Sequence, residues 1–317
     1  MNPACPVPSG LRRPSLLIVG CGDIGLRVLR LLRPRWRVLA LSSSIDRLPL
    51  LRAAGAVPLL GDLDHPGALR RAAGLADAVL HLAPPPASGH RDLRTAHLLQ
   101  ALARAGRCQR IVYASTSGVY GDAGGAWVDE TRPVKPASDR ARRRVDAEAR
   151  LRQFGRQQGV TVTILRVPGI YGLDRPGGDP RERLRRGTPV LRAQDDVYTN
   201  HIHADDLARA CVAALWRGLP QRVLHVSDDT RLRMGDYFDR VAQIFGLAKP
   251  PRVSRDQAAQ QLSPMAMSFL AESRRLDNRR MKTELGLRLR YPTIEAGLTA
   301  QPQMPSAWRS VTIRSTL

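Results

Sequence analysis

The residues with the clearest chemical purpose come early: GCGDIG places Gly20, Gly22 and Gly25 at the spacing of a loop that cradles phosphate. An apolar run, LLIVG, leads into the loop, and an apolar helical pattern, IGLRVLRLL, leaves it. Each glycine has its own task. Gly20 permits a tight turn, Gly22 lets the backbone approach a pyrophosphate, and Gly25 allows the helix to pack closely on the strand. The helix start, with Asp23 and Ile24, adds unpaired N–H donors and the positive end of the helix dipole. This order of parts predicts a dinucleotide site; the competing reading is a glycine turn of structural use alone.

The next apolar run ends in ALSSS, so Ser42, Ser43 and Ser44 stand where an NAD site carries an acid for the ribose hydroxyls. Small hydroxyl side chains leave space for a 2′-phosphate, and Arg47 is near enough in sequence to pair with it. NADP is therefore the expected cofactor, with NAD kept open by Asp46. In the plainer reading the serines form a polar turn and Arg47 is solvated. Asp62, in the GDL after the third apolar run, either meets the adenine edge or caps its turn.

Other reactive residues are less telling. His201, His203 and Asp205 alternate, which on a strand puts them on one face, but no further ligand cluster supports a metal, and none is expected. Cys5, Cys21, Cys108 and Cys211 lie far apart with no CxxC pair, which argues against zinc and against a disulfide framework and fits a reducing compartment. A serine hydrolase would need a GxSxG elbow, and the sequence has none.

These residues need elements to hold them. Short apolar runs at 16–20, 36–41, 56–60, 77–82, 109–115, 160–166 and 222–226 alternate with helical patterns, most clearly at 24–32, 91–105, 138–157 and 205–217. Such alternation specifies an α/β fold, a doubly wound parallel (Rossmann) sheet of about seven strands with helices on both faces. Asp205 and Asp206 are placed to cap the last of those helices. At 173–180 the text LDRPGGDP is too rich in Gly and Pro for an element interior, so the chain leaves the sheet there and returns near 201. The expected organisation is a flexible N-terminus at 1–13, a dinucleotide-binding domain from 14–172 and 201–227, a smaller, discontinuous C-terminal substrate domain from 173–200 and 228–298, and a tail at 299–317.

Composition sets the outer bounds. With 317 residues, 43% of them hydrophobic and 25% charged, the chain can bury a sizeable core, which excludes a disulfide-stapled miniprotein or a disordered chain. The formal net charge is +22, yet only Lys135, Lys249 and Lys282 are lysines, and the arginines are scattered along the whole length. No aromatic platform interleaves with them, so the pattern reads as coding bias on solvated positions, and nucleic acid is not expected as a partner. The summed field still draws small anionic substrates. MNPACPVPSGLRRP at the N-terminus has no apolar stretch of signal length, and no run approaches the ~18 apolar residues of a membrane span. A cytoplasmic protein without a membrane partner is expected.

GCGDIG, GDL, HLAPP, YASTSGVYG, RVPGIYG and IHADDLA, in this order over about 16–298, resemble the extended short-chain dehydrogenase/reductases, the NAD-dependent epimerase/dehydratase family. The resemblance implies a seven-stranded dinucleotide-binding domain with a small C-terminal substrate domain. It also sets Ala83 and Pro84 of HLAPP and Pro168 of RVPGIYG beside the cofactor. In the family a Tyr exchanges a proton with a substrate hydroxyl, a Lys lowers that tyrosine's pKa and holds the nicotinamide ribose, and a Ser or Thr positions the substrate. YASTSGVYG puts Thr116 in the last role, with Ser115 and Ser117 beside it.

The Tyr and Lys belong to a segment like PxSPYGRSKxxAE, and the chain reads PASDRARRRVDAE. Registered on Pro136 and Glu148, this sets Arg140 at the tyrosine and Arg144 at the lysine, the mark of an atypical subgroup. Arginine keeps its proton throughout the accessible pH range, so Arg140 cannot exchange one, whereas Arg144 can stand in for the lysine as a fixed positive charge. Tyr120 is then the first candidate for a replacement proton donor and Tyr171 the second; in the plainer reading both pack or orient. RERLRRG lies where the family's substrate domain meets nucleotide or phosphate groups, so Arg181, Arg183 and Arg185 either clamp a diphosphate or form a solvated face. Family members often dimerise through the helices at 91–105 and 138–157. Here Arg140, Arg142, Arg143, Arg144, Arg150 and Arg152 would gather like charges, so a monomer or weak dimer is expected.

The expected function is NAD(P)-dependent oxidoreduction, epimerisation or dehydration by hydride transfer at a hydroxyl or carbonyl carbon of a small anionic or sugar-like substrate. Thr116, Tyr120 and Arg144 stand at the reacting end. The alternative is a non-catalytic NADP-binding regulatory or interaction protein.

Overall fold

The computed structural model describes residues 13–32 and 36–300. Seven parallel strands form its central sheet: β1 (Ser15–Val19), β2 (Arg37–Ser42), β3 (Val57–Leu60), β4 (Ala78–His81), β5 (Arg110–Thr116), β6 (Thr161–Val167) and β7 (Arg222–His225). They lie in the order β7-β6-β5-β4-β1-β2-β3, a doubly wound Rossmann sheet whose order reverses between β1 and β4. The seven apolar runs of the sequence are these seven strands.

Helices α1 (Asp23–Leu32), α2 (Leu48–Ala53), α3 (Leu69–Ala73), α4 (Leu93–Ala105) and α5 (Asp139–Gln158) precede the excursion. After them come α6 (Pro180–Arg185), α7 (Ala204–Arg217), α8 (Met234–Phe245), α9 (Arg255–Gln261), α10 (Pro264–Leu270), α11 (Arg279–Glu284) and α12 (Ile294–Thr299). The period of two along a strand divides β1 between two cores. Leu16 and Ile18 pack with Val28 and Leu29 of α1 and Leu207 of α7, whereas Leu17 and Val19 share the opposite core with Leu98 and Leu102 of α4.

Local chemistry ends the helices. The Asp92 carboxylate accepts from the Thr95 N–H at 3.0 Å to start α4, and Gly106, at φ 62°, closes it. Ser138 starts α5 in the same way, accepting from the Ala141 N–H at 3.3 Å. The cap of α7 differs from the sequence expectation: it is His203, whose Nδ1 accepts from the Asp205 N–H at 3.2 Å. Asp205 and Asp206 lie two and three residues past that cap, inside the helix. They serve tertiary partners instead, Asp205 pairing with Arg27 and the buried Asp206 accepting from the N–H groups of Arg290 and Tyr291.

The excursion also returns differently. His201–His203 pairs in parallel with Gly169–Tyr171 as a separate two-stranded piece, and the main sheet is rejoined only at β7. Leu184, Val190 and Leu191 join Phe238, Val241, Leu270 and Ile294 in a third apolar core, built from both excursions together. Met281, Leu285 and Leu287 do not belong to it. They are buried in the α1 and α7 core, because α11 packs on β7.

Beneath β5 and β6 runs a line of buried polar groups. Glu148 of α5, 1% exposed, accepts from Arg166 through Nε at 3.1 Å and Nη2 at 2.7 Å. It also accepts from Ser115 Oγ and Arg152 Nη2, each at 2.7 Å. Removing one partner of such a pair leaves the other charge buried and unanswered. Glu148→Gln is expected to lower stability by about 3–5 kcal/mol, read from urea unfolding; an unchanged midpoint would show that water or another acid can take the place of Glu148.

Candidate active site

The glycine loop follows β1 directly. Gly20 sits at φ +81°, and a Cβ there would meet the Cα and N of Ala83 at 2.5 Å, so the loop and the end of β4 touch through bare backbone. A Cβ on Gly25 would come within 2.8 Å of Cys21 Sγ and 3.3 Å of Ile18 Cγ2, which is the close packing of α1 on β1. Gly22 is the opposite case, with nothing within 4 Å of its Cβ position. That open face, next to the free N–H groups at the start of α1, fits a pyrophosphate.

Around the loop, Arg47 donates from Nη2 to the Cys21 carbonyl at 3.0 Å, which brings its guanidinium to the loop's mouth. The Ser42 hydroxyl is engaged in its own turn, accepting from the Ser44 N–H at 3.2 Å and donating to the Ser44 carbonyl at 3.1 Å, while Ser43 is exposed. Asp62 caps its turn by accepting from the Asp64 N–H at 2.9 Å. The Pro84 carbonyl accepts from Arg94 at 3.4 Å, and Ile24 is buried in the α1 core. Asp23 is tied to Arg27 at 3.1 Å and Arg175 at 3.2 Å, and Arg27, itself 6% exposed, also holds Asp174 and Asp205.

At the ends of β5 and β6 opens a cleft of about 820 Å³, walled on one side by Thr116, Pro168 and Arg140 and on the other by Tyr237, Phe269 and Arg274. The Thr116 oxygen accepts from the Gly118 N–H at 3.2 Å, leaving its own proton to donate. Tyr120 is not part of this cleft. It is 1% exposed, accepts from Arg166 Nη1 at 2.6 Å, and contacts His225 Nε2 at 2.5 Å. The Asp277 carbonyl, 2.9 Å from His225 Nδ1, can only accept, so Nδ1 carries the ring proton and Nε2 accepts a hydrogen bond from the Tyr120 hydroxyl, which also lies 3.2 Å from the Asp129 carbonyl. Burial pushes the tyrosine pKa up to about 12. Sealed and with its hydroxyl hydrogen-bonded inside the core, Tyr120 lies outside the cleft, whereas the sequence offers it as the first candidate proton donor. Tyr171 lines the cleft but donates its hydroxyl to the Thr293 carbonyl at 3.3 Å, and burial raises its pKa.

Among the described residues no three His, Cys, Asp or Glu side chains gather as a metal site, and no helix is long and apolar enough to cross a membrane. Cys21, Cys108 and Cys211 are buried free thiols, and Cys5 lies outside the described residues.

The pattern of the NAD dependent epimerase/dehydratase family matches residues 16–226. The chain belongs to that family. It is similar to a functionally unknown conserved protein from Silicibacter pomeroyi, at 34% identity and TM-score 0.75, with 90% of this chain and 96% of that one covered. It is 27% identical over 288 residues to Protein YeeZ of Escherichia coli strain K12, covering 87% of this chain and 95% of the relative. UDP-glucose 4-epimerase of Thermotoga maritima, solved with UDP-glucose, shares the fold at TM-score 0.73 and 21% identity, over 90% of this chain and 96% of that one.

Within this family frame the two arginines of α5 differ sharply. Arg140 is exposed in the cleft, its guanidinium 5.5 Å from the Phe269 ring, with no hydrogen bond or ion pair among the described residues. Arg144 is half-buried behind the cleft wall, where Nη1 donates to the Tyr113 hydroxyl and the Ala114 carbonyl, both at 2.9 Å. Four other arginines of α5 are answered inside the chain: Arg142 by Asp139 at 2.6 Å, Arg150 by Asp146 at 2.8 Å, Arg152 by Glu148, and Arg143 by the Gly89 carbonyl at 2.6 Å.

At the end of α6 the cleft-lining arginines are Arg183 and Arg186, the latter the residue that closes the helix. Arg181 is held by Asp179 at 2.6 Å, and neither it nor the exposed Arg185 lines the cleft. Sequence reasoning passed over Tyr237, Phe269, Glu272 and Arg274, which come from stretches without any motif. Only the third core brings them to the cleft.

His225 offers a direct check on the buried line. Burial pulls its pKa down to about 4, against an ordinary value near 6.5, so between those values the unfolded chain takes up a proton that the folded chain refuses. Its contribution to stability is therefore complete above about pH 6.5 and is lost as the pH falls to about 4, a change of up to about 3 kcal/mol. An NMR titration of the His225 ring is expected to show a midpoint near 4; one near the ordinary value would mean that the ring is hydrated and the tautomer assignment fails.

Proposed function

We propose that the chain binds an NAD(P) dinucleotide along Gly20 to Gly25 and uses it for epimerase/dehydratase-type oxidoreduction at a hydroxyl or carbonyl carbon of a small anionic or sugar-like molecule. The observation that carries this reading is one edge of one sheet: the open face at Gly22 follows β1, and the Thr116–Pro168 cleft follows β5 and β6. Open parallel sheets bind ligands at the carboxyl ends of their strands where the strand order reverses, and here that is between β1 and β4. UDP-glucuronic acid 4-epimerase from Bacillus cereus, a fold neighbour at TM-score 0.70 and 18% identity, was solved in complex with NAD.

The cofactor supplies a hydride acceptor or donor, and the protein's share is to hold and orient. The Gly22 face and the start of α1 hold the pyrophosphate, with Ala83 and Pro168 completing the walls. Ser43 and Arg47 receive the adenosine end, and the guanidinium at the loop's mouth favours the 2′-phosphate of NADP. Arg144, pinned on β5, presents a fixed charge behind the reacting end, and Thr116 donates its hydroxyl proton to a substrate oxygen. A non-catalytic NAD(P)-binding regulator is the second reading. It is favoured by one observation, that a permanently protonated arginine, Arg140, lines the cleft where the family's tyrosine belongs.

Fluorescence titration with NADPH and separately NADH, at physiological salt, tests the proposal. Saturable binding, tighter for NADPH, is expected. Gly22→Asp fills the open face with a negative charge, and should abolish binding of both while leaving the unfolding midpoint in place, since no protein atom lies within 4 Å of its Cβ. Arg47→Ala should cost NADPH about tenfold and spare NADH, the loss of one charge-assisted contact. Equal affinity in wild type and Gly22→Asp would remove the site, and equal losses for both dinucleotides in Arg47→Ala would remove the NADP preference. Binding without turnover across nucleotide sugars and hydroxy acids would favour the regulator.

A further inference from the structure

We propose that the head of the cleft is an oxyanion pocket, in which Arg140, Arg274 and the Thr116 hydroxyl receive a carboxylate or phosphate group of the ligand; the proposal rests on the reading above only in calling that ligand the substrate. The pocket closes around a bare glycine. A Cβ on Gly118 would lie 3.5 Å from Thr116 Oγ1 and 3.9 Å from Glu272 Oε2, so these two side chains face one another over Gly118. Glu272 is already engaged by Arg274, whose Nη1 reaches its Oε2 at 2.7 Å and the Gly121 carbonyl at 2.8 Å. Arg274 is 8% exposed, lines the cleft, and keeps an Nε without a partner.

The balance of charge and of donors decides what such a pocket takes. Two guanidiniums stand against one carboxylate, and that carboxylate is committed to Arg274. Arg140 has no bonded partner, and Arg143 and Arg144 follow it on α5 at the three- and four-residue spacings where like charges repel. An anion beside Arg140 relieves that repulsion. The pocket is also rich in donors: arginine offers N–H groups only, and the Thr116 oxygen has already accepted from Gly118. A neutral alcohol finds the Glu272 carboxylate as its acceptor there, whereas a planar or tetrahedral oxyanion is matched by the guanidinium fork of each arginine. Phe269 of α10 lies beside Arg140, the guanidinium 5.5 Å from its ring centroid, and Met265 lines the same cleft, so the wall next to this charge is apolar. Arg183 and Arg186 belong to the α6 wall, and are available to another part of the same ligand.

Isothermal titration calorimetry of the full chain with malonate, and separately with inorganic phosphate, at constant ionic strength tests the pocket. Saturable binding is expected, weakened about tenfold or more in Arg140→Gln and only partly in Arg140→Lys, which keeps the charge but loses the fork. Arg104→Gln, an equal loss of charge at an exposed position on α4, should leave binding within about twofold of wild type, since it touches no part of the pocket. The tighter of the two anions identifies the group as carboxylate or phosphate. Phosphate has a second place on the glycine loop, so its reading is the difference between wild type and Arg140→Gln. Equal affinity in wild type and Arg140→Gln for both anions, or no saturable binding at all, would overturn the proposal. An NADPH titration of Arg140→Gln keeps the two claims apart. Retained NADPH affinity with lost malonate binding supports the pocket. Arg140-dependent malonate binding in a chain that binds neither dinucleotide leaves the pocket standing and removes the proposed function.

Discussion

The ion pair of Glu148 with Arg166 holds together the elements from which the cleft is made. Arg166 stands on β6 and Glu148 on α5, so the fork of two hydrogen bonds fixes the long helix against the sheet in both rotation and register. Ser115, one residue before Thr116, donates to the same carboxylate, which sets the end of β5. Arg166 continues through Tyr120 to His225 on β7, so one unbroken line of polar contacts crosses three strands. Taking two charges out of water costs about what their attraction returns, so this line adds little net stability. Its contribution is to orientation, because few other arrangements satisfy every donor and acceptor in it.

The arginine content looks different once folded. A net charge of +22 would crowd like charges along α5, yet Arg142, Arg143, Arg144, Arg150 and Arg152 each find an acid, a carbonyl or a hydroxyl within the chain. Arg27 does the same work on the other side of the sheet, where Asp23, Asp174 and Asp205 bring the glycine helix, the start of the excursion and α7 to one guanidinium. Arginine suits this use, since five fixed donors can serve three acids from separate elements, which a single ammonium does less well. Arginines left without such partners then stand out, and on α5 Arg140 is the one that faces the cleft.

That placement changes what the cleft asks of a ligand. A tyrosine beside Thr116 would exchange a proton, and an arginine beside Thr116 can only donate and attract. The neighbouring tyrosines do not compensate: the Tyr120 hydroxyl donates a hydrogen bond to His225, and the Tyr171 hydroxyl donates one to the Thr293 carbonyl. On the proposed reading, a vacant tyrosine position and the surplus of positive charge at the cleft head are one feature seen from two sides.

Much of the fold was legible in the residues because it depends on local rules. Apolar runs with turn residues at their ends specify strands, an apolar period of 3.6 specifies helices, and the GxGxxG spacing carries steric demands that each glycine meets separately, with Gly20 against Ala83, Gly25 against Cys21 and Gly22 open. The register that sets Arg140 and Arg144 at the tyrosine and lysine positions was equally plain, being a matter of sequence alone. Which side of α5 each arginine meets was not plain. One donates into β5 and the other faces the cleft because the Glu148–Arg166 pair fixes the helix's rotation, and that pair joins residues from different elements. Tyr120 looked available in the sequence and is sealed in the structure for the same reason, as its partners Arg166 and His225 lie 46 and 105 residues away. The far wall, Tyr237, Phe269, Glu272 and Arg274, carried no local signal, because two separated excursions build one core and only their packing brings those side chains to Thr116. Sequence by itself determined the elements, the glycine loop and the arginines at 140 and 144; tertiary structure decided which charges are answered and which face the cleft, since that depends on long-range partners no local pattern specifies.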